Sequence, residues 1–575
     1  MNRKIRIALA QINTTVGDIA NNKRKIVSYI ADAKKKGVDI IAFPELAVTG
    51  YPPEDLLFVP QFVADSVSSL HDIIAHTDGI MAIVGFADRR EGTSSNAAAI
   101  IHDRKLIRTY DKIHLPNYDV FDERRYFKAG RAAFVVGYDR VNFGISICED
   151  IWMPDSVTED QVRYGGAQFI INISASPFHY QKVREREKIL TDRARKNGVY
   201  MFYVNLVGGQ DELVFDGHSL IVSDTGNFMM RGEPFKEELI VYDLDPSALQ
   251  PKECLSMPEQ KDECDYTIEK ISVERISLDV KNEYTPEMRL RNKLSDLDEI
   301  YQALVLGTRD YVYKNGFSKV VLGLSGGIDS ALTAVIAAEA LGPQSVIGVM
   351  MPSQYSSDGS IIDSESLSNN LGLVTYLVSI QQTFEVYKKM LNPIFRDTPE
   401  DITEENIQAR IRGNIIMALS NKFGWLPLTT GNKSELSVGY CTLYGDMSGG
   451  FAVIKDVPKT LVYKLCNHIN TIYGKEIIPQ NTIIKPPSAE LRPNQKDQDS
   501  LPPYEVLDPI LNMYIEKGYD VDRIVQRGYD EALVRKIIRM VDRSEYKRRQ
   551  APPGVKITPK AFGKDRRMPI TNRYH

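Results

Sequence analysis

Two kinds of apolar pattern alternate along the chain. Short continuous runs have the length of strands buried on both faces, and longer stretches between them have helical spacing or helix-forming composition. IRIALAQI near the start and Val38–Phe43 predict strands on either side of a Lys-rich helix, Asn21–Lys36. The apolar run of VNFGISICEDIW predicts another strand, which stops at Cys148. Around 246–290 the pattern weakens, and prolines and charges predict a connector. From Met288 the spacing predicts a helix through RNKLSDLDEIYQALVLGTRDYVYKNG. That helix leads into a strand at Val320–Leu324, a Gly-rich turn, and an Ala-rich helix reaching Leu341. SVIGVMMPS predicts a second buried strand and LGLVTYLVSI a third. Strands alternating with helices predict a doubly wound parallel sheet, whose ligands sit at the carboxyl ends of its strands. Further on, DITEENIQARIRGN starts a helix, with Asp401 as N-cap and Glu404 three residues on. The expected division is 1–245, a linker at 246–290, and 291–575.

Length and charge narrow the classes. A chain of 575 residues has room for several cored domains. A net charge of −5 does not suggest a nucleic-acid-binding surface. No apolar run approaches the roughly 20 residues of a membrane span. The opening MNRKIRIALAQIN lacks a signal peptide's apolar core and cleavage site. Five cysteines, Cys148, Cys254, Cys264, Cys441 and Cys466, form no CxxC pair and no zinc spacing. A cytoplasmic enzyme of small-molecule substrates is the expectation.

The turn Ser325-Gly326-Gly327-Ile328-Asp329-Ser330 between a strand and a helix makes an anion cradle. Its glycines let backbone N–H groups converge, and the helix N-terminus adds partial positive charge. Ser325 and Ser330 carry hydroxyls for phosphate oxygens, and Asp329 is placed to hold Mg²⁺. No Gly-Lys-Ser/Thr closes the turn, so it is not a Walker A loop. SGGIDS resembles the PP-loop signature of the ATP pyrophosphatases. That resemblance implies activation of a carboxyl or carbonyl oxygen as an adenylate, with release of pyrophosphate.

In the first half, Glu45 follows a strand beside Pro44, Lys112 lies just after a turn with Tyr118 six residues on, and Cys148 ends a strand. The glutamate and the cysteine alone have bland readings: a solvated loop glutamate and a buried structural cysteine. Together a glutamate base, a lysine and a cysteine suit amide hydrolysis through a thioester, with Lys112 stabilising the oxyanion. FPEL, YxKxxLPNY and CEDIW in this order resemble the nitrilase, or carbon–nitrogen hydrolase, superfamily over about residues 4–245. The resemblance implies an α-β-β-α sandwich with Glu45, Lys112 and Cys148 as its catalytic triad. It also implies that Tyr118, Glu149, Ser176 and Lys182 hold glutamine. His114, His179 and His218 have no role in such a triad.

In the second half, LPLTTGNKSELSVGYCTLYGD carries Thr430, Lys433, Glu435 and Asp446 after an apolar strand. Glu435 is a candidate second carboxylate for Mg²⁺, a hard ion that prefers oxygen. Arg410 and Arg412 either meet phosphate or carboxylate or belong to a solvated helix face. Lys459 stands at a helix start, and Ser488 lies in a polar, Pro-rich loop, IIKPPSAELRPNQKDQDSLPPYEVLD. TGNKSE, YGD, KPPSAEL and DSLPPYEVLD in combination resemble the NAD synthetase family, from about residue 290 onward. This implies an adenine nucleotide α hydrolase-like PP-loop domain that binds ATP through Ser325, Gly326, Gly327, Asp329, Ser330, Thr430, Lys459 and Ser488. Asp329 and Glu435 would be its Mg²⁺ ligands. Arg410, Lys433 and Asp446 fall in stretches that contact ATP or the dinucleotide.

With the hydrolase-like half in front, the resemblance is to glutamine-dependent members of that family. The reaction it implies is amidation of nicotinic acid adenine dinucleotide through an acyl adenylate, with ammonia from glutamine delivered by a protein channel. The family also implies a homo-oligomer with synthetase-domain dimers and a basic tail, SEYKRRQAPPGVKITPKAFGKDRRMPI, closed over an anionic substrate. Another PP-loop glutamine amidotransferase, acting on a different carboxylate or nucleotide, is the alternative.

Overall fold

The computed structural model describes residues 4–90, 92–154, 157–256, 266–275, 284–287 and 290–574; Cys264 and Met288 lie outside them. The chain divides into two compact units, Met1–Gln210 with Val214–Lys293, and Asp211–Leu213 with Leu294–His575.

In the first unit two sheets face one another. One has the strand order Glu238–Leu244, Ile5–Gln11, Ile40–Ala42, Met81–Arg90, Thr93–His102, Lys105–Asp111. The other runs Phe228–Arg231, Leu220–Val222, Tyr200–Asn205, Phe169–Ser174, Val141–Ile147, Ala132–Tyr138, Thr267–Val273. Ile7, Ile83 and Tyr110 of the first sheet pack with Phe143, Ile171 and Phe202 of the second in one core. Helix Ile19–Lys35 covers the first sheet's outer face with Ile26, Ile30 and Ala33, spaced as one helical stripe. Asp18 caps it by accepting from Asn21 N–H. Helix Lys182–Asn197 covers the second sheet through Leu190 and Ala194. The layers are α-β-β-α. The stretch expected as a linker contributes Thr267–Val273, an edge strand parallel to Ala132–Tyr138. Ile268, Ile271 and Val273 are only partly buried there, so the apolar signal is weak in the sequence.

The second unit holds a wholly parallel sheet in the order Val374–Leu377, Val346–Met350, Val320–Gly323, Leu426–Thr429, Phe451–Ala452. Val320–Leu322 are fully buried, as their apolar run requires. Val374–Leu377 is different: an edge strand with Val374, Tyr376 and Leu377 exposed, where a buried strand is expected from composition. The helix expected from Met288 spans Asp296–Lys314, capped by Ser295. Asp401 and Glu404 form the reciprocal capping box of helix Ile402–Phe423. A further helical cluster packs around Leu507, Ile510, Val534, Ile537 and Val541, and Phe562 of the basic tail is buried in it.

Candidate active sites

The first unit gathers Glu45, Lys112 and Cys148 where the ends of separate strands meet. Strand Val141–Ile147 runs out at Cys148, which opens a single 3₁₀ turn, Cys148–Ile151. Cys148 has φ +40°, a backbone state that a non-glycine residue adopts at a cost, and one that gathers at functional sites. Asp150 pins that turn: its carboxylate accepts from Ile147 N–H (3.0 Å), His114 N–H (2.8 Å) and Tyr110 O–H (2.6 Å).

Glu45 is fully buried, with Oε1 accepting from Lys112 Nζ (2.7 Å) and Asn96 Nδ2 (2.7 Å), and Oε2 from Ala175 N–H (2.9 Å). Lys112 also donates to Glu123 Oε1 (2.9 Å), which accepts from Tyr51 O–H (2.9 Å) as well. One ammonium therefore sits between two buried carboxylates. Burial lifts Glu123 to about 7, Lys112 opposing it, and the two carboxylates hold Lys112 firmly protonated against the pull of burial. Burial pushes the Cys148 thiol well up, Glu45's negative charge adds to this, and Lys112 draws it back. Such a thiol is neutral at rest, and to act as a nucleophile it would have to lose its proton to a base.

Around this core, Tyr118 O–H donates to both oxygens of Glu149 (3.0 and 2.9 Å). Ser176 is buried, its N–H held by Asn205 Oδ1 at 2.8 Å. Lys182 lies over the Trp152 ring at 4.2 Å and donates to Glu185.

In the second unit a cleft of about 340 Å³ opens at the carboxyl ends of the strands. Ser325, Gly327, Asp329 and Ser330 line it, as do Thr430, Glu435, Asp446, Lys459 and Ser488. Gly326 does not; at φ +73° it passes so close to the next helix that a Cβ would lie 2.3 Å from Ser360 O. Lys459 Nζ donates to Asp329 Oδ2 (2.5 Å) and Glu435 Oε1 (3.0 Å). Asn432, the N-cap of helix Lys433–Val438, donates to Asp329 Oδ1 (2.9 Å) and accepts from Glu435 N–H (3.0 Å). Burial raises Glu435 to about 7, with Lys459 opposing. Asp446 Oδ1 accepts from Thr442 N–H at 2.7 Å.

The loop with Ser488 is tied down by Glu490, which accepts from Ser357 Oγ (2.9 Å) and Ser360 Oγ (2.7 Å). Among the described residues no group of three or more His, Cys, Asp or Glu is arranged for a metal. Mg²⁺ is commonly held by one or two carboxylates plus substrate phosphates and waters. Two carboxylates that already converge on one cation, the Lys459 ammonium, fit that donor set.

Two expected residues lie elsewhere. Lys433 is buried away from the cleft, donating to Glu516 Oε1 (2.8 Å), Thr558 Oγ1 (2.6 Å) and Lys560 O (2.8 Å), and paired with Asp456 (3.0 Å). Four partners saturate its ammonium, and no donor is left for a ligand. Arg410 is exposed and donates to Leu443 O (3.2 Å); two residues on, Arg412 is the one that lines the cleft. Glu123 and Asn432 are additions. Glu123 stands in the same DKIHLPNYDVFDER segment as Lys112, and Asn432 precedes Glu435 at N-cap spacing; neither signal separates them from ordinary turn residues.

The chain matches two family models: carbon–nitrogen hydrolase over residues 6–252 and NAD synthase over residues 300–551. It is 48% identical to a glutamine-dependent NAD(+) synthetase of Thermotoga maritima, over 100% of this chain and 99% of that protein. The corresponding protein of Aquifex aeolicus is 47% identical over 99% of this chain and its own full length. A solved structure of the glutamine-dependent NAD+ synthetase of Acinetobacter baumannii, in complex with adenosine diphosphate, aligns with TM-score 0.74, 39% identity and 99% coverage of both chains.

Proposed function

This chain belongs to the glutamine-dependent NAD(+) synthetase family, and from that premise we infer its reaction and the residues that perform it. It is a ligase: it amidates nicotinic acid adenine dinucleotide to NAD at the expense of ATP, with ammonia from glutamine, releasing glutamate, AMP and pyrophosphate. The observation that carries the assignment of residues is the pairing, in one chain, of a buried Glu45–Lys112 couple acting on Cys148 with a carboxylate–lysine cluster beside a phosphate-type turn.

In this reading Glu45 takes the Cys148 proton as sulfur attacks the glutamine carboxamide. A glutamyl thioester forms, ammonia leaves, and water activated by Glu45 releases glutamate. Lys112 donates to Glu45 and stabilises the oxyanion. Tyr118, Glu149, Ser176 and Lys182 orient glutamine. In the second unit Ser325, Gly327 and Ser330 receive ATP phosphates, and Gly326 gives the turn its path. Thr430, Lys459 and Ser488 complete that site, and Asp446 and Arg412 serve the dinucleotide side. The nicotinate carboxylate attacks the α-phosphorus, pyrophosphate leaves, and neutral ammonia then displaces AMP. Asp329 and Glu435 would hold Mg²⁺, which supplies charge neutralisation for the phosphates when bound.

We read the molecule as a cytoplasmic homo-oligomer built on synthetase-unit dimers. Supporting a dimer, the edge strand Val374–Leu377 exposes Val374 and Leu377, and helix Gln381–Leu391 exposes Val386, Tyr387 and Met390. Among the described residues no helix is long and apolar enough to cross a membrane.

The test of the reaction is NAD formation from the deamido dinucleotide and Mg-ATP, with glutamine or ammonium, in wild type and Cys148→Ala. The variant should lose glutamine-driven synthesis and keep the ammonium-driven reaction. Loss of both, or of neither, would contradict the assignment of the nucleophile.

A further inference from the structure

Lys459 opens helix Lys459–Tyr473, and its backbone N–H is held by Ser434 Oγ at 2.8 Å. The root of the side chain is fixed; the long stem above it keeps its rotatable bonds. At its tip the ammonium is shared by Asp329 Oδ2 and Glu435 Oε1, at 2.5 and 3.0 Å, with the lysine side chain 2% exposed. Each carboxylate has a second contact besides it: Tyr504 O–H lies 3.5 Å from Glu435 Oε1, and Asp329 is held from its other oxygen. Asn432 holds the other oxygen of Asp329 and the backbone of Glu435. Lys459 faces the same cleft as Ser325, Gly327 and Ser330, the turn that suits anionic oxygens.

A divalent cation bridging Asp329 Oδ2 and Glu435 Oε1 and this ammonium cannot hold those two oxygens together. Mg²⁺ sits about 2.0–2.1 Å from its oxygens. It would take the space where the ammonium now lies, and two positive centres that close in a buried cleft repel strongly. The lysine can leave only if another anion receives it, because an unpaired ammonium buried here is costly. The phosphates of a nucleotide in the Ser325–Ser330 turn are such an anion.

We propose that Lys459 is an exchangeable occupant of the Asp329–Glu435 pair, holding both carboxylates in the nucleotide-free enzyme and moving to ATP's phosphate oxygens when a divalent cation arrives with the nucleotide. This rests on the reading of Asp329 and Glu435 as the Mg²⁺ carboxylates. Metal and nucleotide then bind cooperatively. Metal alone meets a tethered competitor, whereas metal with nucleotide brings the competitor a new partner.

The experiment uses Mn²⁺ in place of Mg²⁺ and follows free Mn²⁺ by electron paramagnetic resonance. The full-length enzyme is titrated with and without α,β-methylene-ATP, an analogue that cannot release pyrophosphate. Lys459→Met and Lys459→Gln should each bind Mn²⁺ at least fivefold tighter than wild type when no nucleotide is present. The ratio of affinities with and without the analogue should fall by at least the same factor. The glutamine variant keeps N–H donors for the two carboxylates, so it covers the case in which Lys459→Met does not fold. A gain below fivefold in a variant that melts cooperatively overturns the proposal. Asp329→Asn separates the two levels of failure. If it leaves Mn²⁺–analogue binding intact, the carboxylate assignment is wrong and the exchange falls with it. If it abolishes that binding while the Lys459 variants show no gain, only the exchange is wrong.

Discussion

Burial sets what Cys148 can do. Its thiol is held neutral by the lack of water and by Glu45, with Lys112 only partly compensating. Below a raised pKa, the thiolate fraction grows tenfold per pH unit. Alkylation of Cys148 by iodoacetamide is therefore expected to quicken through pH 7–9 with a slope near one and no plateau. A levelling below pH 8 would show a thiolate already formed and would remove the need for Glu45 as base. Glu45→Gln should lower glutamine-driven synthesis at least 100-fold, leave ammonium-driven synthesis within about threefold, and keep the enzyme folded, since an amide fills the same space. The residue scale is also where sequence reading is least complete. Lys433 and Arg410 stand in motif stretches with the right chemistry, yet one is turned into a buried four-partner network and the other out to solvent. Motif spacing fixes the order of residues along a helix; which side chains face the cleft depends on how that helix packs. Arg412 and Arg410 differ by two residues, which on a helix is a little over half a turn.

At the scale of elements, the proposed chemistry rests on two tight turns after buried strands. In the first, Asp150 supplies acceptors to the backbone donors of Ile147, next to Cys148, and of Ile113 and His114, next to Lys112. Orphaning a buried donor costs about 1–3 kcal/mol. Asp150→Ala should thus destabilise by about 3 kcal/mol or more, seen in chemical denaturation, and abolish glutaminase activity. In the second turn, Gly326→Ala places a methyl group against Ser360 O at a left-handed backbone angle. Glutamine- and ammonium-driven synthesis should fall together, at least tenfold in kcat/KM for ATP, in contrast to Cys148→Ala. The buried strands and their order of helices are legible in the sequence because continuous apolar runs such as Val320–Leu322 leave little choice. Edge strands are not: Val374–Leu377 has the composition of a core strand and lies exposed, and Thr267–Val273 has the composition of a connector and joins a sheet.

At the scale of the whole molecule, the exposed residues of Val374–Leu377 and Gln381–Leu391 carry the expectation of a dimer. Leu377→Asp with Met390→Lys should shift the enzyme to a smaller species in sedimentation velocity; an unchanged species would place the oligomer contact elsewhere. The other edge strand has a consequence for anyone who would separate the two activities. Thr267–Val273 covers the open hydrogen-bonding rim of Ala132–Tyr138, and its own outward residues include Lys270, a charge on a sheet border. A hydrolase fragment cut at residue 245, where its motifs end, would uncover that rim along AAFVVGY, a segment with high β-propensity and no charge. Such a fragment should self-associate through edge-to-edge pairing, while one carried to Lys293 should remain monodisperse at the same concentration. Part of the stretch that reads as a tether, Thr267–Val273, closes a sheet border.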